Sequence, residues 1–113
     1  MSSRDLAYLE DMRINAERAL SFVAGKSFEQ FTAETLLNYA VVRCFSIIGE
    51  AANGVSKPAR AAMPQLDWAG MIGLRHVVVH DYGRVDLAQV WTIVHRDLPP
   101  LIAELTAFLQ RYP

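Results

Sequence analysis

Eight consecutive residues, Arg75 to Tyr82, bring together the side chains in this sequence that are best suited to chemistry. They read Arg-His-Val-Val-Val-His-Asp-Tyr and contain a permanent cation, two imidazoles, a carboxylate and a phenol. A guanidinium can bind a phosphate through two parallel hydrogen bonds, and an imidazole exchanges protons near neutral pH. Arg75 and His80 therefore suit cleavage of a phosphodiester, in which Arg75 holds the phosphate and His80 moves the proton.

The same spacing also allows structural roles. On a regular helix His80 points about 140° away from Arg75, so the two side chains converge only if the helix unwinds near His80. Otherwise Arg75 would pair with a carboxylate and His80 would cap the helix C-terminus. His76 and His80 have a spacing compatible with a shared metal, to which Asp81 could add an oxygen ligand. Because no further ligand cluster accompanies them, we expect no metal ion and no cofactor. His95 is interpreted as a surface or hydrogen-bonded histidine.

A second polar group lies in an otherwise apolar stretch. Arg43, Ser46, Glu50 and Asn53 follow one another at steps of three, four and three, which places them on one face of a helix. This polar stripe has three possible roles: a solvated face, a buried network between Arg43 and Glu50, or a wall of the cleft that holds Arg75. The spacing alone does not choose among them.

The elements that must position these residues are predicted to be helices. Apolar residues recur at steps of three and four from Leu6 to Val23, from Leu37 to Val55 and from Leu87 to Phe108. The second of these seams is so apolar that its helix is predicted to lie at the centre of a bundle. Four further residues are predicted to widen that seam: Leu36, Ala40, Ile47 and Ala52.

Local signals place the ends of the helices. Residues 27–30 have the spacing of a capping box, and a short helical piece is predicted around residues 59–63. Asp67 is predicted to cap a helix that starts near Trp68, carries Arg75 and ends near residues 80–83, and Asp86 is predicted to cap the last helix. Pro99-Pro100 predicts a kink in that helix, interpreted as one bent helix because its seam stays in register. The sequence thus predicts one domain over residues 1–113, an all-α, up-and-down bundle of four to five helices.

Composition limits the class of protein. The chain has 113 residues, is 52% hydrophobic and 20% charged, and carries a net charge of −1, so no overall field attracts it to nucleic acid. Residues 41–84 nevertheless hold five Lys/Arg (Arg43, Lys57, Arg60, Arg75, Arg84) against three Asp/Glu (Glu50, Asp67, Asp81), which allows a local anion site. The single cysteine and the lack of a signal or membrane-spanning segment indicate a soluble, cytoplasmic protein.

The run from Arg75 to Tyr82 resembles the R-x4-H-x-Y motif of the HepT-like toxins, a branch of the HEPN superfamily. The resemblance extends along roughly residues 5–110, in segments that keep the family's order. They are Ile47 to Ala52, Trp68 to Leu74, Val85 to Leu87, and Val90-Trp91 through Asp97 to Leu101. The sequence is therefore identified as a member of this family.

The resemblance implies a function for each residue of the motif. It implies a metal-independent ribonuclease toxin in which Arg75 binds phosphate and His80 acts as general acid or base while the ribose 2′-hydroxyl attacks. It implies a homodimer whose two motifs face each other across a cleft. It also implies a nucleotidyltransferase antitoxin that blocks the site by transferring AMP to Tyr82.

Two positions depart from the usual family pattern. The family usually has asparagine where this chain has His76, and a small or uncharged residue where it has Asp81. His76 can still contact phosphate or base, whereas Asp81 adds a negative charge beside the expected path of the phosphate, or orients an imidazole. A non-catalytic helical adaptor that binds a nucleotidyltransferase is therefore the alternative hypothesis, and a phosphate-handling metalloenzyme is the third.

Overall fold

The computed structural model describes residues 1–77 and 85–113, and every regular element in these two stretches is an α-helix. The all-α fold class predicted from the sequence is confirmed. Within these residues no helix has both the length and the apolar character that a bilayer span requires. In chain order the helices are α1 (Ser3–Val23), α2 (Phe28–Ala33), α3 (Thr35–Gly54), α4 (Lys57–Ala61), α5 (Trp68–Val77), α6 (Leu87–Arg96) and α7 (Leu98–Leu109).

Helix α3 lies at the centre of the bundle, as predicted. It packs against α1 on one side and α5 on the other, while α7 packs against α1 and α6 packs against α7. Fully buried side chains from α1, α3 and α7 meet in the core, where each contributes about 1.5–3 kcal/mol of hydrophobic stabilisation. Among the described helices, α5 has extensive packing with α3 alone. The helix that carries Arg75 is therefore positioned mainly by α3.

The helix ends follow the local signals in the sequence. The Ser2 hydroxyl accepts a hydrogen bond from the Asp5 amide at 3.1 Å and caps α1. The predicted capping box is present, because the Gln30 amide donates to Ser27 Oγ at 3.1 Å and the Ser27 amide donates to Gln30 Oε1 at 2.8 Å. Gly25 has a φ of 73°, which favours glycine, in the turn between α1 and α2.

The apolar seam of α3 faces the core, but Leu36, one of the residues predicted to widen the seam, does not. Val41, Ile48 and Val55 are buried, and Ala52 is buried beside them. Leu36, which was predicted to widen the seam, is instead 87% exposed, so that prediction was wrong. The reason is geometric, because Leu36 lies one residue before the start of the seam and so about 100° around the helix from it.

The last apolar seam is divided between two helices. The predicted interruption is present, but the break falls at Asp97, between α6 and α7, so the structure has two helices where one bent helix was expected. Pro99 and Pro100 lie in the first turn of α7, where the missing amide donors are tolerated. Without those amides the carbonyls of His95 and Arg96 lose their usual helical partners, which ends α6 at Arg96.

A buried carboxylate joins the start of α1 to the turn between α3 and α4. The Asp5 side chain accepts hydrogen bonds from the Ser56 amide at 2.8 Å, the Ser56 hydroxyl at 2.7 Å and the Ser2 hydroxyl at 3.0 Å. The bonds from Ser56, and to a lesser extent the bond from Ser2, lower the pKa of Asp5 below its ordinary value. The ionised form is therefore the form that stabilises the fold.

We expect Asp5→Ala to lower the free energy of unfolding by about 1.5–3 kcal/mol, because hydrogen bonds to a charged acceptor are lost and the Ser56 donors remain partly buried. Urea denaturation at neutral pH measures the change. Asp11→Ala is the matched control, since Asp11 is an exposed carboxylate on the same helix. It should change the free energy by less than about 0.5 kcal/mol.

The pH dependence of this difference follows from the sign of the pKa shift. A lowered folded-state pKa gives stability that is fully present above the unfolded value, about 3.9, and is lost as the pH falls through the lower folded value. The stability difference between wild type and Asp5→Ala should therefore shrink in acid. A difference that stays constant as the pH falls below about 3.9 would contradict this assignment.

Candidate functional site

Arg75 lies near the C-terminal end of α5, and the opposite end of that helix is fixed by two specific contacts. The predicted cap is present, because Asp67 Oδ1 accepts a hydrogen bond from the Gly70 amide at 3.0 Å. The Trp68 indole donates to the Met63 carbonyl at 3.0 Å and ties the start of α5 to the preceding turn. These contacts fix where α5 begins. They therefore help to fix the position of Arg75 near the other end of the helix.

Gly49 of α3 allows α5 to approach closely at Arg75. A Cβ atom built on Gly49 would lie 2.6 Å from the Arg75 amide nitrogen and 2.8 Å from Arg75 Cβ. Real Cβ contacts are longer, so any larger residue would force the two helices apart. The close approach of the backbones therefore depends on glycine at this position.

The Arg75 guanidinium lies between two polar side chains. Its Nη1 is 3.7 Å from Glu50 Oε1, and its Nε donates to His76 Nε2 at 3.2 Å. Charge-assisted hydrogen bonds are typically about 2.7–2.9 Å long, so the pairing with Glu50 is loose, and such a surface pair contributes only about 0–1 kcal/mol. An incoming phosphate can thus replace Glu50 at the guanidinium at little cost.

The polar stripe on α3 continues from this ion pair across the protein surface. Arg43 and Glu50 border a shallow depression of about 290 Å³ that also contains Tyr8, Asp11 and Ser46. Arg43 is exposed, and no carboxylate in the described parts of the chain lies within ion-pair distance of it. The stripe is therefore solvated, with Glu50 next to Arg75, and it does not form the alternative buried network between Arg43 and Glu50.

Three of the predicted site residues, His80, Asp81 and Tyr82, lie outside the described residues. The predicted course of the helix beyond Val77 and its end near residues 80–83 also lie outside them. Convergence of His80 and Tyr82 on the Arg75 guanidinium stays a prediction.

His95 lies on α6. Its Nδ1 is 2.8 Å from the Trp91 carbonyl oxygen, and its exposed ring packs on the Trp91 indole with the ring centroids 4.2 Å apart. It is thus the hydrogen-bonded surface histidine that the sequence predicts. Over residues 1–77 and 85–113, no three His, Cys, Asp or Glu side chains are grouped as metal ligands. Because His80 and Asp81 fall outside this range, the expectation of no metal stays a prediction.

Sequence reasoning did not identify Gly49 as a residue that supports the site. The available signal was its place in the run Ile47-Ile48-Gly49-Glu50, where a glycine interrupts bulky residues in the middle of a strongly apolar helix. Glycine in a helix interior costs about 0.5–1 kcal/mol relative to alanine, so a close contact is a reasonable explanation for its presence.

A central apolar helix and an adjacent helix that carries a partly exposed arginine define this molecule as a helical bundle with a guanidinium at its surface. The chain belongs to the HepT-like ribonuclease family, because the family model described as Ribonuclease HepT-like matches residues 12–108. The matched range includes Gly49, Glu50 and Arg75. The family resemblance identified from the sequence is therefore confirmed.

Individual relatives resemble the chain over most of its length. A Methanocaldococcus jannaschii protein named "Putative RNase MJ1380" is 33% identical over 106 residues, which cover 93% of this chain and 97% of the relative. A Thermococcus cleftensis protein named "Probable ribonuclease HepT" is 32% identical over 94 residues, which cover 83% of this chain and 86% of the relative. No solved structure shows a significant match to the chain.

We expect Gly49→Ala to destabilise the protein by about 1–3 kcal/mol, because the added methyl group overlaps the Arg75 backbone and forces α3 and α5 apart. Thermal or urea denaturation measures the loss. Gly73→Ala is the matched control on α5, since no described atom lies within 4 Å of a Cβ built there. It should leave stability unchanged or raise it by about 0.5–1 kcal/mol. Equal stability of the two variants would show that the α3–α5 contact is not close in solution.

Proposed function

We propose that this protein is the toxin of a two-component toxin–antitoxin system and cleaves RNA without a metal ion. Membership of the HepT-like ribonuclease family is the observation that carries the proposal. The position of Arg75 supports it, because 29% of its side chain is exposed and its contact with the exposed Glu50 is long, at 3.7 Å. The names of the relatives, which refer to ribonucleases, agree with an RNA substrate.

In the proposed mechanism, the Arg75 guanidinium binds the scissile phosphate through two hydrogen bonds and stabilises the charge that develops on its oxygens. His80 acts as the proton-transfer group, taking the proton from the ribose 2′-hydroxyl or delivering one to the leaving 5′-oxygen. The bond from O2′ to phosphorus forms as the bond from phosphorus to O5′ breaks. The nucleophile comes from the RNA itself, so no metal-bound water is required.

Glu50 and His76 orient the guanidinium before RNA arrives in this proposal. Glu50 approaches Nη1 and His76 accepts from Nε, so the two contacts hold different parts of the same planar group. A phosphate that binds the guanidinium replaces the long contact with Glu50 by shorter charge-assisted hydrogen bonds. Glu50 thus contacts the guanidinium until RNA binds, and its negative charge also weakens the binding of other anions.

Regulation by a partner completes the proposal. A nucleotidyltransferase antitoxin transfers AMP to the phenol oxygen of Tyr82, two residues beyond His80 in the motif. The adduct brings a bulky group and a phosphodiester negative charge to the entrance of an anion-binding site, so it would block RNA both sterically and by charge repulsion. In a homodimer whose two motifs face each other, the AMP groups on both copies of Tyr82 would block the same cleft.

We expect Arg75→Ala and His80→Ala each to abolish growth inhibition on expression and to lower the rate of RNA cleavage in vitro to near zero. For His80→Ala the rate of cleavage should fall at least about 100-fold, because a proton-transfer group is lost. His95→Ala, which changes an exposed histidine on α6 that contacts Trp91, is the matched control and should retain activity. Cleavage of total RNA should persist in excess EDTA. Full toxicity of both Arg75→Ala and His80→Ala would contradict the ribonuclease proposal. If the wild-type protein leaves RNA intact but binds the transferase tightly, the adaptor hypothesis is favoured.

Where a nucleotidyltransferase gene lies next to the gene for this protein, we expect co-expression of the two to raise the intact mass of the protein by whole AMP units. Tyr82→Phe removes only the acceptor oxygen and should eliminate the increase. Tyr39→Phe and Tyr112→Phe, which change exposed tyrosines elsewhere, should leave the increase unchanged. AMP addition that persists in Tyr82→Phe would place the acceptor at another residue.

A further inference from the structure

The outward face of α3 carries exposed side chains that the core does not account for. Leu36 is 87% exposed and Tyr39 is 70% exposed, although both belong to types that usually pack against other residues. Arg43 follows them along the same helix and is also exposed. These three residues form a strip, here called the α3 strip, that begins in the first turn of the helix.

The α3 strip leads directly to the proposed active site. On a regular helix, positions 36, 39, 43 and 50 all fall within about 40° of the Glu50 direction, so one continuous face carries them. The helical rise places Arg43 about 10 Å and Tyr39 about 16 Å from Glu50 along the axis. Because Glu50 lies 3.7 Å from Arg75, the helix face that carries the strip leads to the place where the scissile phosphate is proposed to bind.

Arg43 is the cationic side chain of the α3 strip. Arg43 has no carboxylate within ion-pair distance in the described stretches. Asp11 and Glu50 border the same depression as Arg43, but neither pairs with it, and Glu50 lies 3.7 Å from the Arg75 guanidinium. The charge of Arg43 is therefore available to a phosphate.

We propose that the α3 strip binds single-stranded RNA that runs away from the cleavage site, with Arg43 contacting a backbone phosphate and Tyr39 stacking on a base. This inference rests on the proposed function and names the form of RNA and two residues that bind it. Exposed aromatic rings beside cationic side chains suit single strands, whose bases are free to stack. At about 3.4 Å per stacked nucleotide, the distance from Glu50 to Tyr39 spans roughly five nucleotides.

RNA fits this face better than a second copy of the chain. A stable protein interface buries about 800 Å² per partner around an apolar centre, in which aromatic residues and arginine are enriched. The α3 strip offers only two large apolar or aromatic side chains, Leu36 and Tyr39, which is too little for such a centre. The stripe then continues through the polar Ser46 to the exposed Glu50. Tyr39 and Arg43, about one turn apart, offer one stacking surface and one cation, which suits a base and a neighbouring phosphate.

The experiment measures binding of a fluorescent 2′-O-methyl oligonucleotide of about twelve nucleotides, long enough to exceed the roughly five-nucleotide span at about 3.4 Å each. This RNA lacks the attacking hydroxyl and cannot be cut by the proposed mechanism. Tyr39→Ala should weaken binding roughly 5- to 100-fold, the range expected for loss of one stacked base, whereas Tyr39→Phe should bind like wild type. Arg43→Gln should weaken binding and reduce the slope of log affinity against log salt by about 0.7, the value for one phosphate contact with a single strand. Tyr112→Ala, which removes another exposed tyrosine, is the matched control.

A second measurement separates this inference from the proposed ribonuclease activity. A dinucleotide reaches only the Arg75 site, so Tyr39→Ala should cleave it at the wild-type rate, and it should cleave a longer RNA with a raised KM and an unchanged kcat. Binding that depends on Tyr39 in a protein that cuts no RNA would overturn the ribonuclease proposal and leave the α3 strip standing. If RNA is cleaved but neither Tyr39→Ala nor Arg43→Gln changes the affinity or the KM, the α3 strip is overturned and the ribonuclease proposal stands.

Two further outcomes would also overturn the α3 strip. The first is an undetectable affinity of the wild-type protein for the 2′-O-methyl RNA. The second is a fall in the mass of Tyr39→Ala in light scattering, from dimer to monomer, because that result would assign this face to contact between two copies. An unchanged mass together with weaker RNA binding supports the strip.

Discussion

The arrangement of the candidate site depends on how closely α5 approaches α3. Gly49 lets the Arg75 backbone come within a distance that no side chain would allow. Because α5 has extensive packing only with α3 among the described helices, this contact largely determines where the guanidinium lies. The pairing with Glu50, one residue after the glycine, follows from the same approach. One small residue therefore controls both the packing of a helix and the position of a cation.

The rest of the bundle supplies the rigidity that this contact requires. Helix α3 is held between α1 and α5, and Asp5 ties the start of α1 to the residue that follows the C-cap of α3. The ion pair at the site is loose by comparison, at 3.7 Å and on the surface. The structure thus combines a fixed backbone with a guanidinium whose partner is exchangeable. That combination suits a residue that must be in position before its ligand arrives.

Most helix boundaries could be predicted from the sequence, because their signals lie within three residues of one another. The caps formed by Ser27, Asp67 and Asp86 all occur as expected, since each depends on a side chain and an amide that are close in sequence. Leu36 was assigned wrongly because periodicity gives the direction of an apolar seam more reliably than its width. The pairing of Arg75 with Glu50 was left open because it depends on the distance between two helices, which no local pattern specifies. The roles of His80, Asp81 and Tyr82 rest on sequence and family membership alone.

Cys44 provides a way to follow motion in the central helix. It is the single cysteine of the chain, it is 4% exposed, and burial raises the pKa of its thiol. Since the thiolate is the reactive form, a thiol reagent can modify Cys44 only after α3 opens locally and exposes the sulfur. The labelling rate of the wild-type protein under native conditions therefore reports the free energy of opening of the helix that holds Arg75 in place. No engineered probe is needed, because the sequence places its one sulfhydryl on the opposite side of α3 from the solvated stripe.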